Sequence, residues 1–428
     1  MALRDFRGAR RARPRTARGA THVVLLAALL VVAACGGGTA AGTAAVPAPA
    51  RPTAARATAD LTSRRRSAVH PVPGMPPVPD PNNQYSQTTK GKFSPATKGA
   101  LYRVYVPNLR SNDVDVIDPK TFKILYRFPV GVDPQHVVPS YDLKTLWVAN
   151  EDVNGTSGSV TPINPKTGRP GPSIPVPNPY NLYFTPDGKS VIVVAETYKR
   201  LDFRDPHTFA LQATVPLPQC AGVNHGDFSI DGSYVIFSCE FQRGIIKVDW
   251  RNRRVVGALT LAPDAIPQDV RVSPNGKIFY VADLLHDGGG LWMINGDTFT
   301  VAGFIPTALG AHGLVVSRNA KYLYVANRGS STQAIGPAHG PGDVSVVSFK
   351  TNKVVDTWTI PGGGSPDMGN ITPDGDELWL SGRFDNVVYV FDTRSGAEVT
   401  IPVDEEPHGV AVWPQPGRYS LGHTDIMR

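Results

Sequence analysis

Seven positions recur at a nearly constant interval along this 428-residue chain, and four of them are histidines. The intervals between them are 45, 44, 44, 43, 56 and 40 residues. Neutral imidazoles together with carboxylates suit copper, iron or zinc, and they can also transfer protons near neutral pH. The recurrence therefore predicts a polar site built from one residue of each repeat. The seven positions are His136, Asn181, His225, Asp269, His312, Met368 and His408.

The elements that carry these residues are short strands. A four-residue turn follows the recurring position, called the marker below, at 185–188, 229–232, 273–276 and 372–375. The turn has Ser or Thr first, Pro or another residue second, Asp or Asn third and Gly fourth. Asp-Gly and Asn-Gly between apolar runs indicate a β-hairpin. The second strand of each hairpin ends on a polar residue, and two further strands follow. These polar residues are Asn150, Glu196, Glu240, Asp283 and Asn327.

Four short strands per repeat of about 44 residues are typical of a propeller blade. Seven markers predict an all-β, seven-bladed β-propeller with four-stranded antiparallel blades over residues 98–428. The long interval of 56 is explained by a Gly/Ser/Pro-rich insertion at 329–342. The chain supplies three strands over 102–130, and a first strand follows at 408–413. The C-terminal strand is thus expected to complete the N-terminal blade, which leaves no open sheet edge at the seam.

Several segments resemble the YVTN-type, or YncE-like, seven-bladed β-propellers. They are 408–412 (HGVAV), 273–276 (SPNG), 324–327 (YVAN), 116–118 (VID) and 128–131 (FPVG). The resemblance covers about residues 100–413 and implies the propeller fold. A more distant resemblance is to the haem-binding propeller of cytochrome-type nitrite reductases. The haem-binding residues of that propeller find no match here, and no Cys-x-x-Cys-His motif for covalent haem is present.

The channel mouth is where chemistry is expected, because the first strands start there and the second strands end there. His286 and His339, on loops leaving that edge, share this face. Three roles stay open: a copper, iron or zinc site using His136, His225, His312 and His408; structural hydrogen bonding between blades; and proton transfer. The predicted mouth residues are His136, Asn181, His225, Asp269, His312, His408, Glu196, Glu240 and Asp283.

Two cysteines remain after Cys35. Cys220 comes shortly before the inner strand of its blade, and Cys239 lies near the end of the next strand. A disulfide between them is expected in an exported protein, because such compartments are oxidising. The alternative is a soft ligand pair beside His225.

The N-terminus predicts export and lipid anchoring. Seven Arg fall within residues 1–20, an apolar run covers 23–34, and small residues precede Cys35. A dozen apolar residues are too few for a mature membrane span, which needs about 20. Residues 1–34 are read as a lipoprotein signal peptide, with Cys35 as the lipidated residue at the outer face of the cell membrane. The export route, general or twin-arginine, stays open.

The basic charge belongs to the leader. Residues 1–97 hold 14 Lys/Arg and 3 Asp/Glu, whereas the rest of the chain holds 29 and 33. The predicted domain is therefore mildly acidic, and a nucleic-acid partner is disfavoured. The Ala/Pro/Thr/Arg-rich residues 35–97 are predicted to be a disordered tether, because they contain too few apolar groups to form a core.

Three hypotheses for function follow. The first is an exported, lipid-anchored, monomeric propeller that binds a small molecule or a protein at its mouth. The second is an extracytoplasmic metal-dependent oxidoreductase. The third is a lactonase-like hydrolase in which mouth residues such as Glu240 activate water.

Overall fold

The computed structural model describes residues 68–155, 157–330 and 341–428. Over this part of the chain the secondary structure is almost entirely strand. Three short 3-10 helices occur at Pro95–Thr97, Glu240–Gln242 and His286–Gly288. In chain order the strands are β1 (Arg103–Asn108), β2 (Asp113–Asp118), β3 (Lys123–Pro129), β4 (Pro134–Pro139), β5 (Leu146–Asn150), β6 (Ser159–Asn164), β7 (Arg169–Pro170), β8 (Ile174–Pro175), β9 (Pro179–Phe184), β10 (Val191–Ala195), β11 (Arg200–Arg204), β12 (Leu211–Pro216), β13 (Val223–Phe228), β14 (Val235–Cys239), β15 (Gly244–Asp249), β16 (Arg254–Thr260), β17 (Pro267–Val272), β18 (Ile278–Asp283), β19 (Gly290–Asn295), β20 (Thr300–Pro306), β21 (Ala311–Val316), β22 (Tyr322–Asn327), β23 (Asp343–Ser348), β24 (Lys353–Thr359), β25 (Pro366–Ile371), β26 (Glu377–Gly382), β27 (Val387–Asp392), β28 (Glu398–Pro402) and β29 (Ala411–Trp413).

The described strands form seven antiparallel sheets, so the seven-bladed propeller is confirmed. Blade 1 has the strand order β29-β1-β2-β3, and blades 3 to 7 take β9–β12, β13–β16, β17–β20, β21–β24 and β25–β28. Blade 2 contains β4 to β6, and its outer strand is split into β7 and β8, which both pair with β6. Prolines at 170, 172 and 175 break this outer strand because proline lacks a backbone N–H.

The ring closes as expected, through a short strand. β29 pairs antiparallel with β1, with Tyr105 opposite Ala411 and Arg103 opposite Trp413. The regular strand covers 411–413 rather than the predicted 408–413. Pairing still extends to the mouth through the backbone, because His408 N donates to Pro107 O at 3.0 Å.

The core lies between the blades. The inner strands, such as β13 and β17, are buried along their whole length, whereas the outer strand β16 alternates exposed and half-buried residues. This follows from the architecture, since an inner strand has blades on both faces and an outer strand faces water on one side. One inter-blade cluster contains Val138, Trp147, Phe184 and Phe209.

The recurring turn motif is explained by side-chain hydrogen bonds. In the copy at 185–188, Thr185 Oγ1 donates to Asp187 Oδ1 at 2.7 Å and accepts from Ser190 N at 3.0 Å. Gly188 has φ +70°, a conformation that other residues rarely adopt. The motif therefore fixes the hairpin between the first and second strands at the face opposite the mouth.

A β-bulge at the start of most inner strands positions the channel residues. The register shifts between Pro134 and His136, between Val223 and Gly226, and between Pro267 and Val270, with the same pattern in blades 6 and 7. A bulge bends the strand and changes the direction of its side chains. The sequence markers lie at this point.

The predicted tether, residues 35–97, is corrected for residues 68–97. Met75 and Tyr85 are buried, and Tyr85 Oη donates to Val272 O at 2.6 Å on the face opposite the mouth. Gln84 Nε2 donates to Ser273 O at 2.7 Å. These anchors were missed because they are isolated among Pro and polar residues. Residues 35–67, the signal peptide and Cys35 lie outside the described residues, as does His339.

The C-terminal tail, residues 414–428, closes the end of the channel opposite the mouth. Tyr419, Leu421 and Ile426 are buried, and Arg428 Nη2 lies 2.7 Å from Asp227 Oδ1. Among the described residues, no helix has the length and apolar character needed to cross a membrane.

The closing strand is predicted to contribute to global stability. Val412 is fully buried in β29, so Val412→Ala is expected to lower the free energy of unfolding by about 2 kcal/mol in urea titrations. Val399→Ala is the matched control, because Val399 is 47% exposed on β28 and its loss is expected to cost below about 0.5 kcal/mol. Equal effects of the two substitutions would contradict the closure.

Candidate functional site

The strand registers place the channel residues in two layers. The layer nearest the mouth, the first layer, contains Gln135, Tyr180, Asn224, Gln268, His312, Asp367 and His408. The next, the second layer, contains His136, Asn181, His225, Asp269, Gly313, Met368 and Gly409. The sequence markers therefore fall in two adjacent layers.

Four predicted histidines lie together on the channel axis. The ring centres of His136 and His408 are 4.7 Å apart, and those of His136 and His225 are 5.4 Å apart. His312 lies 5.9 Å from His225 and 6.0 Å from His408. His423 from the tail joins them, 5.3 Å from His136. It was missed because the tail is outside the repeats, so its position gave no signal.

His312 is oriented by an ion pair. Its Nδ1 lies 2.6 Å from Asp367 Oδ1, and Arg328 donates to both oxygens of Asp367 at 3.0 Å through Nε and Nη2. Burial opposes ionisation of Asp367, but Arg328 and the histidines hold its pKa well below its usual range. Burial lowers the pKa of His312 to about 4. The neutral imidazole of His312 thus lies against a carboxylate, and its Nδ1 has no aligned hydrogen-bond partner among the described residues.

His408 has one ring nitrogen without a partner. Its Nδ1 lies 3.2 Å from the backbone oxygen of Gln135, which can only accept, so Nδ1 carries the hydrogen. Burial lowers the pKa of His408 well below its usual value, and the ring is neutral. Nε2 therefore holds a lone pair, and it has no hydrogen-bond partner in the described structure. Asp367 Oδ2 is 3.6 Å away, across from this lone pair.

His136 is fully buried, and neither of its ring nitrogens has a hydrogen-bond partner among the described residues. Burial lowers its pKa well below the usual value, and the ring is neutral. Its ring packs edge-on against Tyr180, with centres 5.4 Å apart. A Cβ at Gly409 would overlap Nδ1 of His136, so glycine is needed beside the ring.

His225 and His423 are satisfied by their neighbours. Arg271 Nη2 donates to His423 Nδ1 at 3.1 Å, so Nε2–H of neutral His423 donates to His225 Nδ1 at 3.2 Å. Asn181 Nδ2 is 3.3 Å from the same Nδ1. His225 Nε2–H then donates to Tyr180 Oη at 2.9 Å. These two imidazoles form a directed hydrogen-bond chain.

Among the residues that the structure describes, two groups of side chains have ligand atoms within 4.8 Å of one another: His225, Asp269, His423 and His312, Asp367, His408. In the first group, Asp269 is paired with Arg271 at 2.7 Å and the imidazoles bond each other. In the second group, His408 keeps an unpaired nitrogen. His136 lies next to the second group, and both of its ring nitrogens are also without a hydrogen-bond partner in the described structure.

Three carboxyl groups surround the mouth above the imidazoles. Gln135 Nε2 donates to Glu151 Oε2 at 2.6 Å, and Asn224 Nδ2 donates to Glu240 Oε2 at 2.9 Å. Burial raises the pKa of both Glu151 and Glu240 to about 7. Burial and the charges of Glu151 and Glu240 raise the pKa of Glu196 well above its usual value. Glu151 was not predicted, because Asn150 before it was taken as the mouth residue.

Other predicted mouth residues have structural contacts. Asp283 accepts from Trp292 Nε1 at 2.8 Å and from loop amides, including Ile266 N. Asn150 and Asn327 bond side chains of the next strand in their own blades. His286 stacks on Trp292, with ring centres 4.5 Å apart.

Cys220 and Cys239 form a disulfide, with Cα atoms 4.8 Å apart. The bridge ties the segment before β13 to the end of β14. It therefore fixes the position from which Glu240 projects.

The raised pKa of Glu240 predicts that the free energy of unfolding of the metal-free protein depends on pH. Between pH 4.5, the ordinary value, and about 7, the folded chain keeps a proton that the unfolded chain has lost. Stability therefore falls as pH rises through this window. Glu240→Gln is expected to increase the unfolding free energy at pH 8 by about 1–3 kcal/mol and to leave it unchanged at pH 4. Glu405→Gln, on an exposed loop, is the control. An equal gain at both pH values would contradict this cause.

Solved structures share the fold at low identity. A chain of the Kuenenia stuttgartiensis hydrazine synthase is 18% identical, with a TM-score of 0.54 over 71% of this chain and 94% of that one. A Bacteroides fragilis protein provisionally named a 6-phosphogluconolactonase is 17% identical, with a TM-score of 0.56 over 74% and 99%. Dihydro-haem d1 dehydrogenase NirN is 15% identical, with a TM-score of 0.51 over 80% and 78%. These likenesses show the fold alone.

The sequence also matches a family. No curated protein matches the chain. A family model described as a YncE-like β-propeller matches residues 72–417, and that range includes the segments 72–97 and 414–417 that lie outside the strands. The chain therefore belongs to the YncE-like β-propeller family.

Proposed function

We propose that this propeller binds a first-row transition-metal ion, copper, iron or zinc, on the channel axis through His136, His312 and His408. The observation that carries the proposal is the set of buried imidazole nitrogens without hydrogen-bond partners among the described residues: both of His136, Nδ1 of His312 and Nε2 of His408. Buried polar atoms are normally hydrogen-bonded, so such a group in one place points to a missing partner. A neutral imidazole lone pair is a strong ligand for these ions.

The spacing of the rings supports this assignment. With metal–nitrogen bonds of about 2.1 Å, two imidazoles on one tetrahedral ion have ring centres about 5 Å apart. The ring centres of His136 and His408 are 4.7 Å apart, and those of His312 and His408 are 6.0 Å apart. The spacing of His136 and His408 fits one shared ion, and His312 lies with His408 in one group whose ligand atoms are within 4.8 Å of one another.

The groups around these ligands support it further. The backbone oxygen of Gln135 accepts from Nδ1 of His408, which leaves Nε2 of His408 as its ligand atom, and Asp367 Oδ1 lies 2.6 Å from Nδ1 of His312. Arg328 neutralises Asp367, so the carboxylate orients His312 rather than binding the ion. Three protein ligands leave a fourth position for an exchangeable ligand, as in catalytic metal sites.

We also propose where in the cell the protein is located. The signal pattern before Cys35 supports an exported protein held at the outer face of the cell membrane by a lipid on that cysteine. The disulfide between Cys220 and Cys239 fits an oxidising compartment.

Metal binding is tested by titrating chelator-treated protein with Zn²⁺, Co²⁺ or Cu²⁺ in a calorimeter. The wild-type chain is expected to bind one equivalent. His136→Asn and His408→Asn are each expected to weaken binding at least about 100-fold, because each removes one of three ligands.

The matched control is His286→Asn, which changes a histidine that stacks on Trp292 outside the cluster. Circular dichroism checks that each variant is folded. Absence of binding of all three ions to the wild-type chain, or an equal loss in His286→Asn, would rule out the site.

Lipid anchoring is tested in bacterial cells grown with labelled palmitate. The full chain is expected to carry label and to sediment with membranes, and Cys35→Ser is expected to lose both properties. Cys220→Ser is the matched control and keeps the label. A labelled Cys35→Ser protein would refute the anchor.

A further inference from the structure

The rim of the mouth consists of seven structurally equivalent positions. Just below the second layer, each inner strand pairs with a residue of the second strand of its blade, as Val137, Leu182 and Gly226 do. The rim residue comes three positions after that second-strand residue, and the other blades follow the same rule. The rim, in blade order from blade 1 to blade 7, is Leu109, Glu151, Glu196, Glu240, Leu284, Arg328 and Arg383.

Charge is segregated around this rim. Blades 2 to 4 supply three glutamates, blades 6 and 7 supply two arginines, and a buried leucine separates the two halves on each side. Glu151, Glu240 and Arg328 are buried, while Glu196 and Arg383 are half-buried. The mouth therefore presents carboxyl groups on one side and guanidinium groups on the other.

The basic half has unused donors. Arg328 uses Nε and Nη2 on Asp367, while its Nη1 is buried and has no partner in the described part of the chain. Arg383 uses Nε and Nη2 on Glu406 Oε1, at 3.0 and 2.9 Å, and its Nη1 is 4.0 Å from Asp367 Oδ2. Both guanidinium carbons lie over the Phe384 ring, at 5.7 and 5.9 Å from its centre. The two guanidinium groups therefore lie beside the same ring, and Nη1 of Arg328 is left for a ligand.

The acidic half has an unused acceptor. Glu151 is 1% exposed, and its Oε1 has no hydrogen-bond partner among the described residues. Within those residues neither Glu151 nor Glu196 forms an ion pair. Both halves of the rim therefore keep a buried polar atom that has no partner in the described structure, Oε1 of Glu151 and Nη1 of Arg328. Burial raises the pKa values of Glu151 and Glu196, and an ammonium group beside them would favour their ionised forms.

We propose that the rim binds a small amino-acid-type zwitterion, with its carboxylate on Arg328 and Arg383 and its ammonium group on Glu151 and Glu196. Guanidinium groups bind carboxylates with two parallel hydrogen bonds, and an ammonium group needs several oxygen acceptors. One molecule with both charges completes both halves, whereas a plain anion or amine completes only one. The rim lies directly above the imidazoles, so the bound molecule faces the proposed metal position.

The test measures binding of three matched sets by calorimetry, in chelator-treated and zinc-loaded protein. The zwitterions are glycine, β-alanine and 4-aminobutyrate, and the single-charge controls are acetate, propionate, butyrate and the corresponding alkylamines. At least one zwitterion is expected to bind at least 10-fold tighter than both of its controls. Equal binding of a carboxylate and its zwitterion, or no binding at all, would overturn the proposal.

Substitutions at two half-buried rim positions test the basic half and the acidic half independently and leave the imidazoles unchanged. Arg383→Gln and Glu196→Gln are each expected to weaken zwitterion binding at least 10-fold, and Glu406 keeps Arg110 as a partner at 2.9 Å when Arg383 is lost. Arg394→Gln is the control, since Arg394 pairs with Asp376 at the exposed outer edge. An effect in Arg383→Gln alone would show a site for simple anions and refute the zwitterion. Binding to chelator-treated protein keeps this result separate from failure of the metal proposal.

Discussion

The pairing of β29 with β1 is the constraint on which the other features depend. A propeller has a channel axis only when its last sheet meets its first, and here a C-terminal strand inside the N-terminal blade makes that contact. The same segment builds the site, because His408 N donates to Pro107 O in blade 1 and Gly409 N donates to Gln135 O in blade 2. Closing the ring and placing His408 beside His136 are therefore one structural event.

The channel concentrates polar groups where water is scarce, so each must find a partner in the protein or in a ligand. On one side of the second layer His225 is satisfied internally, through His423 and Arg271, with the C-terminal tail inserted into the channel. On the other side His136, and Nε2 of His408 in the first layer, lack partners among the residues that the structure describes. The unpartnered nitrogens of these two histidines indicate where a ligand belongs.

Repetition of one blade supplies seven copies of each position, and the copies then differ in side chain. At the rim the backbone is held constant while Glu, Arg and Leu alternate in blocks, so charge is distributed by blade number. Glu240 stands beside the disulfide at Cys239, and Arg328 stands on the carboxylate that orients His312. The fold thus decouples the framework, which is repeated, from the chemistry, which varies from blade to blade.

The sequence alone determined the blade count, the strand order and the turns, because hydrophobic alternation and the Asp-Gly motifs are local signals that repeat every 44 residues or so. It also placed His136, His225, His312 and His408 at one end of the channel, since equivalent positions in a closed ring must share a level. Only the tertiary structure showed that Tyr85 and Met75 anchor the segment taken as a tether, and that Asp283 serves its own blade. It alone brought in Asp367, His423 and the rim arginines, because contacts across the axis and hydrogen-bond pairing join residues that no local pattern relates.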